Sequence, residues 1–273
     1  MSRRAQLRAK SAWSQAVCEL SKSFVIGRSS YGGISEIPSL ILAGGLGSRL
    51  RPAFDAGPKS IAPIGGRSFL EYLLLQIGRA GFHRVLLCVG YGASQIEEFV
   101  GDGGRWGLSV RYSVETEPLG TAGAVKRAAS LIDTPHFLVF NGDSFLSIDL
   151  RRLVEEHLHS GALATVALAK VHDSTRFGTV VLEADGQIKQ FCEKAGWVKS
   201  ESPDWCVVNG GIYIFSKPVL DLIPEPGAVS LEHEIFPKLL AKGIRGFLSD
   251  GYFIDIGLPE DFERAQTELP KYF

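Results

Sequence analysis

The chain has 273 residues, 45% hydrophobic and 22% charged, the balance of a globular protein with ample material for a core. Its formal net charge of -1 and pI of about 6.6 argue against a nucleic-acid partner, although a few local cations suffice for a small phosphate ligand. Unpaired spacing of Cys18, Cys88, Cys192 and Cys206 excludes a zinc or disulfide framework, and no apolar run reaches the ~18–20 residues that span a bilayer, so no membrane partner is expected. Residues 1–36 differ from the rest. Arg3, Arg4, Arg8 and Lys10 precede the first acid, Glu19, with no apolar stretch between, which argues against a secretory signal. An organelle transit peptide shares this composition, but a poorly ordered N-terminal extension or an overextended start is the preferred reading, and the cytoplasm the expected compartment.

The domain proper is expected over residues 37–273. Residues 38–42 form an apolar run that reads as a buried strand opening into Ala43-Gly44-Gly45. Residues 69–79 carry Leu70, Leu73, Leu74 and Ile77 at helical spacing, stopped by Gly81. Strands follow at 85–89, where Cys88 reads as a buried thiol, at 110–114 and at 137–140. Helices are expected at 94–99, opened by a cap at Ser94, at 121–131 and at 150–159. The later half is richer in strands, at 164–170, 179–182, 188–191 and 207–215, with Asp185-Gly186 as a hairpin turn. Helices resume near Leu220 and over 231–241, where Pro237 should interrupt or restart the run, and Pro259-Glu260-Asp261 opens the last one. This order predicts an α/β fold, a Rossmann-like, mostly parallel (mixed) sheet with helices on both faces.

Ligands of such sheets sit beyond the carboxyl ends of strands, where this chain places Leu42-Ala43-Gly44-Gly45-Leu46-Gly47-Ser48-Arg49. Glycines let the backbone approach a phosphate chain, successive N–H groups can form an anion nest, and Arg49 and Lys59 add charge. The loop lacks the GxGxxG-into-helix order of dinucleotide sites and the GK[ST] of a Walker loop, so an NAD-dependent oxidoreductase is disfavoured. A ligand-free tight turn is the plain alternative. Asp143 and Asp255 are acids in apolar surroundings, each explicable alone as a cap or turn residue. Together they make a reasonable magnesium pair, since Mg2+ takes one or two carboxylates plus phosphate oxygens.

The string LAGGLGSRLRP followed by PKS resembles the signature of the sugar-phosphate nucleotidyltransferases, LAGGxGTRLxP then PKP, with Ser48 and Ser60 as departures. The resemblance runs over about residues 40–266 with later motifs in family order, and it implies the nucleotide-diphospho-sugar transferase fold. It implies that Leu42, Gly44, Gly45, Gly47, Ser48, Glu115, Gly120 and Thr121 hold the nucleotide, the last three through ETEPLGTAG. Thr121 serves equally well as a helix cap. Asp143 and Asp255 would hold the Mg2+ cofactor, and Arg49, Lys59, Asp143 and Lys194 would act in catalysis. Glu193-Lys194, Asn209 within NGGIY, and Gly178 would form the sugar side, with Lys194 on the acceptor phosphate. An acceptor-only carboxylate at Glu115 suits the adjacent donors of guanine. Residues 113–125, Ser230-Leu231-Glu232 and YFIDIGLPEDFERAQ resemble the D-glycero-α-D-manno-heptose 1-phosphate guanylyltransferase branch. Mannose 1-phosphate guanylyltransferases and N-acetylmuramate 1-phosphate uridylyltransferases are its rivals, and no hexapeptide repeat signals an attached acyltransferase. The expected partners are a nucleoside triphosphate and a sugar 1-phosphate, with an oligomer left open. A catalytically silent nucleotide-sugar sensor is the alternative class, against which the retained Arg49, Lys59, Asp143 and Asp255 argue.

Overall fold

Continuous apolar runs make strands that are buried on both faces, and such strands need a layer of helices on each side. In chain order the elements are β1 (Ser39–Leu42), β2 (Pro63–Ile64), β3 (Arg67–Ser68), α1 (Phe69–Arg79), β4 (Arg84–Val89), α2 (Ala93–Val100), β5 (Ser109–Val114), α3 (Gly120–Arg127), β6 (His136–Asn141), β7 (Ser144–Leu146), α4 (Leu150–Ser160), β8 (Ala164–Val171), β9 (Thr179–Leu182), β10 (Ile188–Cys192), β11 (Cys206–Ser216), α5 (Phe236–Leu240), β12 (Ile244–Ser249), β13 (Phe253–Asp255) and α6 (Pro259–Glu268). The computed structural model describes residues 33–45, 47, 49–50, 53–54, 56–172, 177–192, 205–225 and 227–273. The expected extension over 1–36 lies outside these residues except for its last four, which include a short 3₁₀ turn, Ile34–Glu36.

The main sheet runs β10-β9-β11-β6-β1-β4-β5, with β8 on β11 and β12 on β8. Strands β6, β1, β4 and β5 are mutually parallel, whereas β11 lies antiparallel to β6, β8 and β9. The sheet is therefore mixed, parallel in its first half and largely antiparallel in its second. From β1 the chain pairs first with β4 on one side and later with β6 on the other. That switch opens a crevice beyond the carboxyl ends of β1 and β6.

Alternation along the strands divides the core in two. Ile41, Val85, Leu87, Leu138 and Phe140 face one layer with α1, α2, α4 and α6, while Leu40, Leu86, Cys88, Phe137 and Val139 face the other with α3 and α5. Cys88 is the buried thiol expected, and burial pushes it up to about 12, which makes it inert. Helix α1 spans the predicted residues because Ser68 Oγ accepts from Glu71 N at 3.2 Å and Gly81, at φ +80°, ends the run.

Helix α2 departs from expectation. Its N-cap is Gly92, left-handed at φ 67°, and Ser94 is an interior residue. A side chain at position 92 would strike the Pro58 ring, so backbone approach rather than a hydroxyl sets this start. The 231–241 run breaks in two at Pro237, as expected: Leu231–Ile235 is a π turn, and α5 resumes with proline in its first turn. Strands β7, β12 and β13 and the β2–β3 hairpin were not foreseen.

Candidate active site

The glycine loop leaves β1 at the crevice. Ala43 N donates to Cys88 O at 2.8 Å, Gly142 N donates to Leu42 O at 3.0 Å, and a side chain at Gly142 would strike that same carbonyl. The turn after β6 is thereby seated directly on the end of β1. Gly47 adopts φ 59°, with the Lys59 Cβ only 2.9 Å from where a side chain would begin. This contact brings residue 59 back under the loop, although twelve positions separate the two in sequence.

Lys59 is only 8% exposed, yet it is a lysine, and buried charge requires partners. Its Nζ donates to Asp143 Oδ2 at 2.8 Å and stands 3.9 Å from Asp255 Oδ1. Asp143 is in the turn between β6 and β7. Asp255 arrives on β13, which pairs antiparallel with β7 so that Asp255 lies opposite Ser144, and Ile256 N donates to Asp143 O at 2.9 Å. The two acids that the sequence separates are thus neighbours on one short ladder. Burial and then the Asp143 charge push the Asp255 carboxyl above the usual carboxylate range, against the opposing pull of Lys59, the Gly257 N–H and Arg49.

At the other end of the crevice, Glu115 follows β5, and its backbone N donates to Val89 O at 2.8 Å. A side chain at Gly44 would come within 2.5 Å of Glu115 Oε1, and one at Gly90 within 2.7 Å, so both glycines make room for this carboxylate. Its Oε2 is buried and has no hydrogen-bond partner among the described residues. Burial raises its pKa, while the Leu119 N–H and Arg127 oppose the rise.

Between these ends lies a cavity of about 700 Å3. Of the sequence candidates, Leu42, Gly44, Gly45, Gly47 and Arg49 form its floor, Lys59 and Asp143 one end, and Glu115, Gly120 and Thr121 the other. Ser48, Glu193 and Lys194 lie outside the described residues. Asp255 reaches the cavity through Lys59. Gly178 and Asn209 are not among its walls: Gly178 stands beside Cys192 O at the end of β10, next to position 193. Asn209 sits at a β11 bulge, where its Oδ1 accepts from Gly211 N and its Nδ2 donates to Tyr213 OH, both at 2.9 Å. Thr121 is not a cap, because the residue preceding α3 is Leu119 and no side chain caps that helix.

The sequence reading did not nominate several walls. Gly90 and Tyr91, just past the carboxyl end of β4, carried no motif of their own, while Asn141 and Gly142 were visible only as neighbours of Asp143, and Gly257 only within the string around Asp255. Among the described residues no group of three or more His, Cys, Asp or Glu converges on one point. The two aspartates alone therefore suit a hard cation that completes its shell with ligand oxygens and water.

A family model described as nucleotidyl transferase matches residues 38–271. The chain is 38% identical over 236 residues to a D-glycero-alpha-D-manno-heptose 1-phosphate guanylyltransferase of Aneurinibacillus thermoaerophilus, covering 86% of this chain and 99% of that one. It is 37% identical over 237 residues to a mannose-1-phosphate guanylyltransferase of Mycobacterium tuberculosis, covering 86% of this chain and 65% of that protein. Among solved structures, HddC from Yersinia pseudotuberculosis superposes with a TM-score of 0.75 at 31% identity, covering 85% of this chain and 99% of that chain. The same protein complexed with GMP-PN superposes at 0.74. With a fold, a cavity and a family model that coincide over nearly all of the described residues, this chain belongs to the nucleotidyl transferase family.

Proposed function

We propose that the protein transfers GMP from GTP to a sugar 1-phosphate, with D-glycero-α-D-manno-heptose 1-phosphate as the sugar substrate, giving a GDP-sugar and pyrophosphate. The observation that carries this reading is the Lys59–Asp143–Asp255 cluster at one end of a glycine-floored cavity with a buried carboxylate, Glu115, at the other. An ammonium and an arginine there suit the β- and γ-phosphates, and Glu115 can accept from the adjacent N–H groups of guanine. In the reaction an oxygen of the sugar 1-phosphate forms a bond to the α-phosphorus as the bond from that phosphorus to the β-phosphate oxygen breaks. A phosphate monoester is already largely dianionic at neutral pH, with a second pKa of about 6, so no general base is needed. Alignment and charge neutralisation do the work: Arg49 and Lys59 stabilise the departing pyrophosphate, and Lys194 holds the acceptor phosphate. Glu193, Gly178 and Asn209 form the sugar side, the last two by supporting its wall.

Asp143 and Asp255 would hold Mg2+, which supplies positive charge to phosphate oxygens when bound. The placement of both carboxylates around Lys59 at one end of the cavity supports this assignment. Mannose 1-phosphate is the second reading for the sugar, favoured by the 37% identity to the mycobacterial relative. We place the catalytic domain at residues 37–273 and residues 1–36 outside it. Among the described residues no helix is long and apolar enough to cross a membrane, which is consistent with work in the cytoplasm.

The test is a matrix of GTP, UTP and ATP against heptose, mannose and N-acetylmuramate 1-phosphates, scored by Mg2+-dependent release of pyrophosphate. GTP with the heptose phosphate should give the highest kcat/KM. Lys59→Ala should lower it by about 10²–10³-fold, the scale on which fixed charges at a reacting group act. Turnover of UTP but not GTP would overturn the role of Glu115, and wild-type turnover by Lys59→Ala would overturn that of the loop.

A further inference from the structure

The segment after Glu115 is held in place by a part of the chain far away in sequence. Val229 O accepts from Ala122 N at 2.9 Å and Gly123 N at 3.3 Å, and Val229 N donates to Leu119 O at 2.8 Å. Early N–H groups of α3 are thus satisfied by a strand-like segment rather than by a capping side chain. Gly120 is at φ +71°, and a side chain there would stand 2.5 Å from Val229 O, so the two backbones meet as closely as glycine allows.

The side chains complete the clamp. Thr121 Oγ1 donates to Glu232 Oε2 at 3.0 Å and accepts from Leu231 N at 2.8 Å. Ser230 Oγ donates to the same carboxylate oxygen at 2.9 Å. A threonine hydroxyl has one proton, and here it is committed to Glu232. Thr121 therefore lines the cavity without a hydroxyl proton left for a ligand. The π turn Leu231–Ile235 makes this geometry: it buries Leu231 and Ile235 in the core while Glu232 turns back to Thr121. Burial, and then the same carboxylate, push the Tyr213 hydroxyl well above its usual range, and Tyr213 OH accepts from Asn209.

We propose that Glu232 is a positioning residue for the nucleotide, fixing Thr121 and the backbone of residues 119–123 against the cavity before the ligand arrives. This inference rests on the reading of the cavity as a nucleoside triphosphate site. It assigns to Glu232 no contact with substrate; its effect passes through Thr121.

The experiment is calorimetric titration of the full chain with GTP in the presence of Mg2+, with steady-state kinetics and a thermal midpoint for each variant. Glu232→Ala should weaken GTP binding and raise the KM for GTP by about tenfold, the worth of a hydrogen bond to a charged group. The KM for the sugar phosphate should not move, and kcat should stay within about twofold, as for lost uniform binding. Glu232→Gln should restore binding, because its amide oxygen still accepts from Thr121 and Ser230. Adding Glu232→Ala to Thr121→Val should cost nothing further, since both remove the same contact. Wild-type GTP affinity in Glu232→Ala would overturn the proposal, as would a lowered thermal midpoint with equal losses for both substrates, the mark of a packing role alone. A wild-type chain that binds no nucleoside triphosphate would instead overturn the functional reading itself, and this inference with it.

Discussion

On the proposed reading, Glu115 has to be buried enough to recognise a base and ionised enough to accept hydrogen bonds from it. Burial favours the protonated acid, so the two demands conflict, and the Leu119 N–H and Arg127 only partly offset the rise in pKa. The sign follows directly. A raised carboxylate pKa means that protonation begins at a higher pH than for an exposed glutamate, and the protonated form no longer offers two acceptor oxygens. The KM for GTP should therefore climb as pH falls, earlier than the KM for UTP, and Glu115→Gln should reduce the preference for GTP over UTP by at least about tenfold. Parallel pH profiles for the two nucleotides would count against the assignment. Glu115 was legible from its position within ETEPLGTAG, and Lys59 from PKS, because local motifs carry both. Glu232 was visible only as part of a family string. Its function depends on a contact with Thr121 across 111 positions, and no local pattern encodes such a pairing.

Elements divide in the same way. Helix α1 was read to the residue, since its apolar stripe and terminal glycine are short-range signals. Strands β7 and β13, three residues each, are too short to show alternation, although they bring Asp143 and Asp255 together. What limits them is the packing around β7. A side chain at Gly211, in the β11 bulge at φ +75°, would strike Ser144 Oγ, so the bulge and the first residue of β7 share one space. Gly211→Ala should destabilise the protein by about 1–3 kcal/mol in urea unfolding, from the left-handed backbone alone. It should also weaken Mg2+-dependent turnover more than GTP binding, because Ser144 adjoins Asp143. Equal effects on both would show that the ladder does not transmit the displacement.

At the scale of the whole molecule, the end of the sheet away from the cavity is tied by a buried polar knot. His157 on α4 is 1% exposed; its Nδ1 lies 2.9 Å from Thr165 Oγ1 on β8, and its Nε2 lies 3.2 Å from Ser216 Oγ on β11 and 3.3 Å from His136 Nδ1 on β6. Burial, and then the neighbouring His136, hold His157 down at about 4, against about 6.5 for an unfolded histidine. Between those values the unfolded chain binds the extra proton, so stability is complete above about pH 6.5 and is lost as pH falls towards 4. The loss amounts to roughly 3 kcal/mol. Urea midpoints at pH 7 and pH 4.5 should show it, and His157→Gln should flatten that part of the profile; an unchanged slope in the variant would place the acid sensitivity elsewhere. The division of the core was foreseen from the continuous apolar strands, whereas this knot was not, since histidines and hydroxyls scattered along a chain announce no meeting point. The ladder of β7 with β13 has a consequence in time as well as in space. As the chain leaves the ribosome, β1, β4, β5 and β6 can assemble the glycine floor and place Glu115 and Asp143, but Asp255 emerges only after β8 to β12 have been made. A partly made chain can therefore hold the outline of the cavity without Asp255 beside Asp143, and on the proposed reading chemistry waits for the last ladder to close.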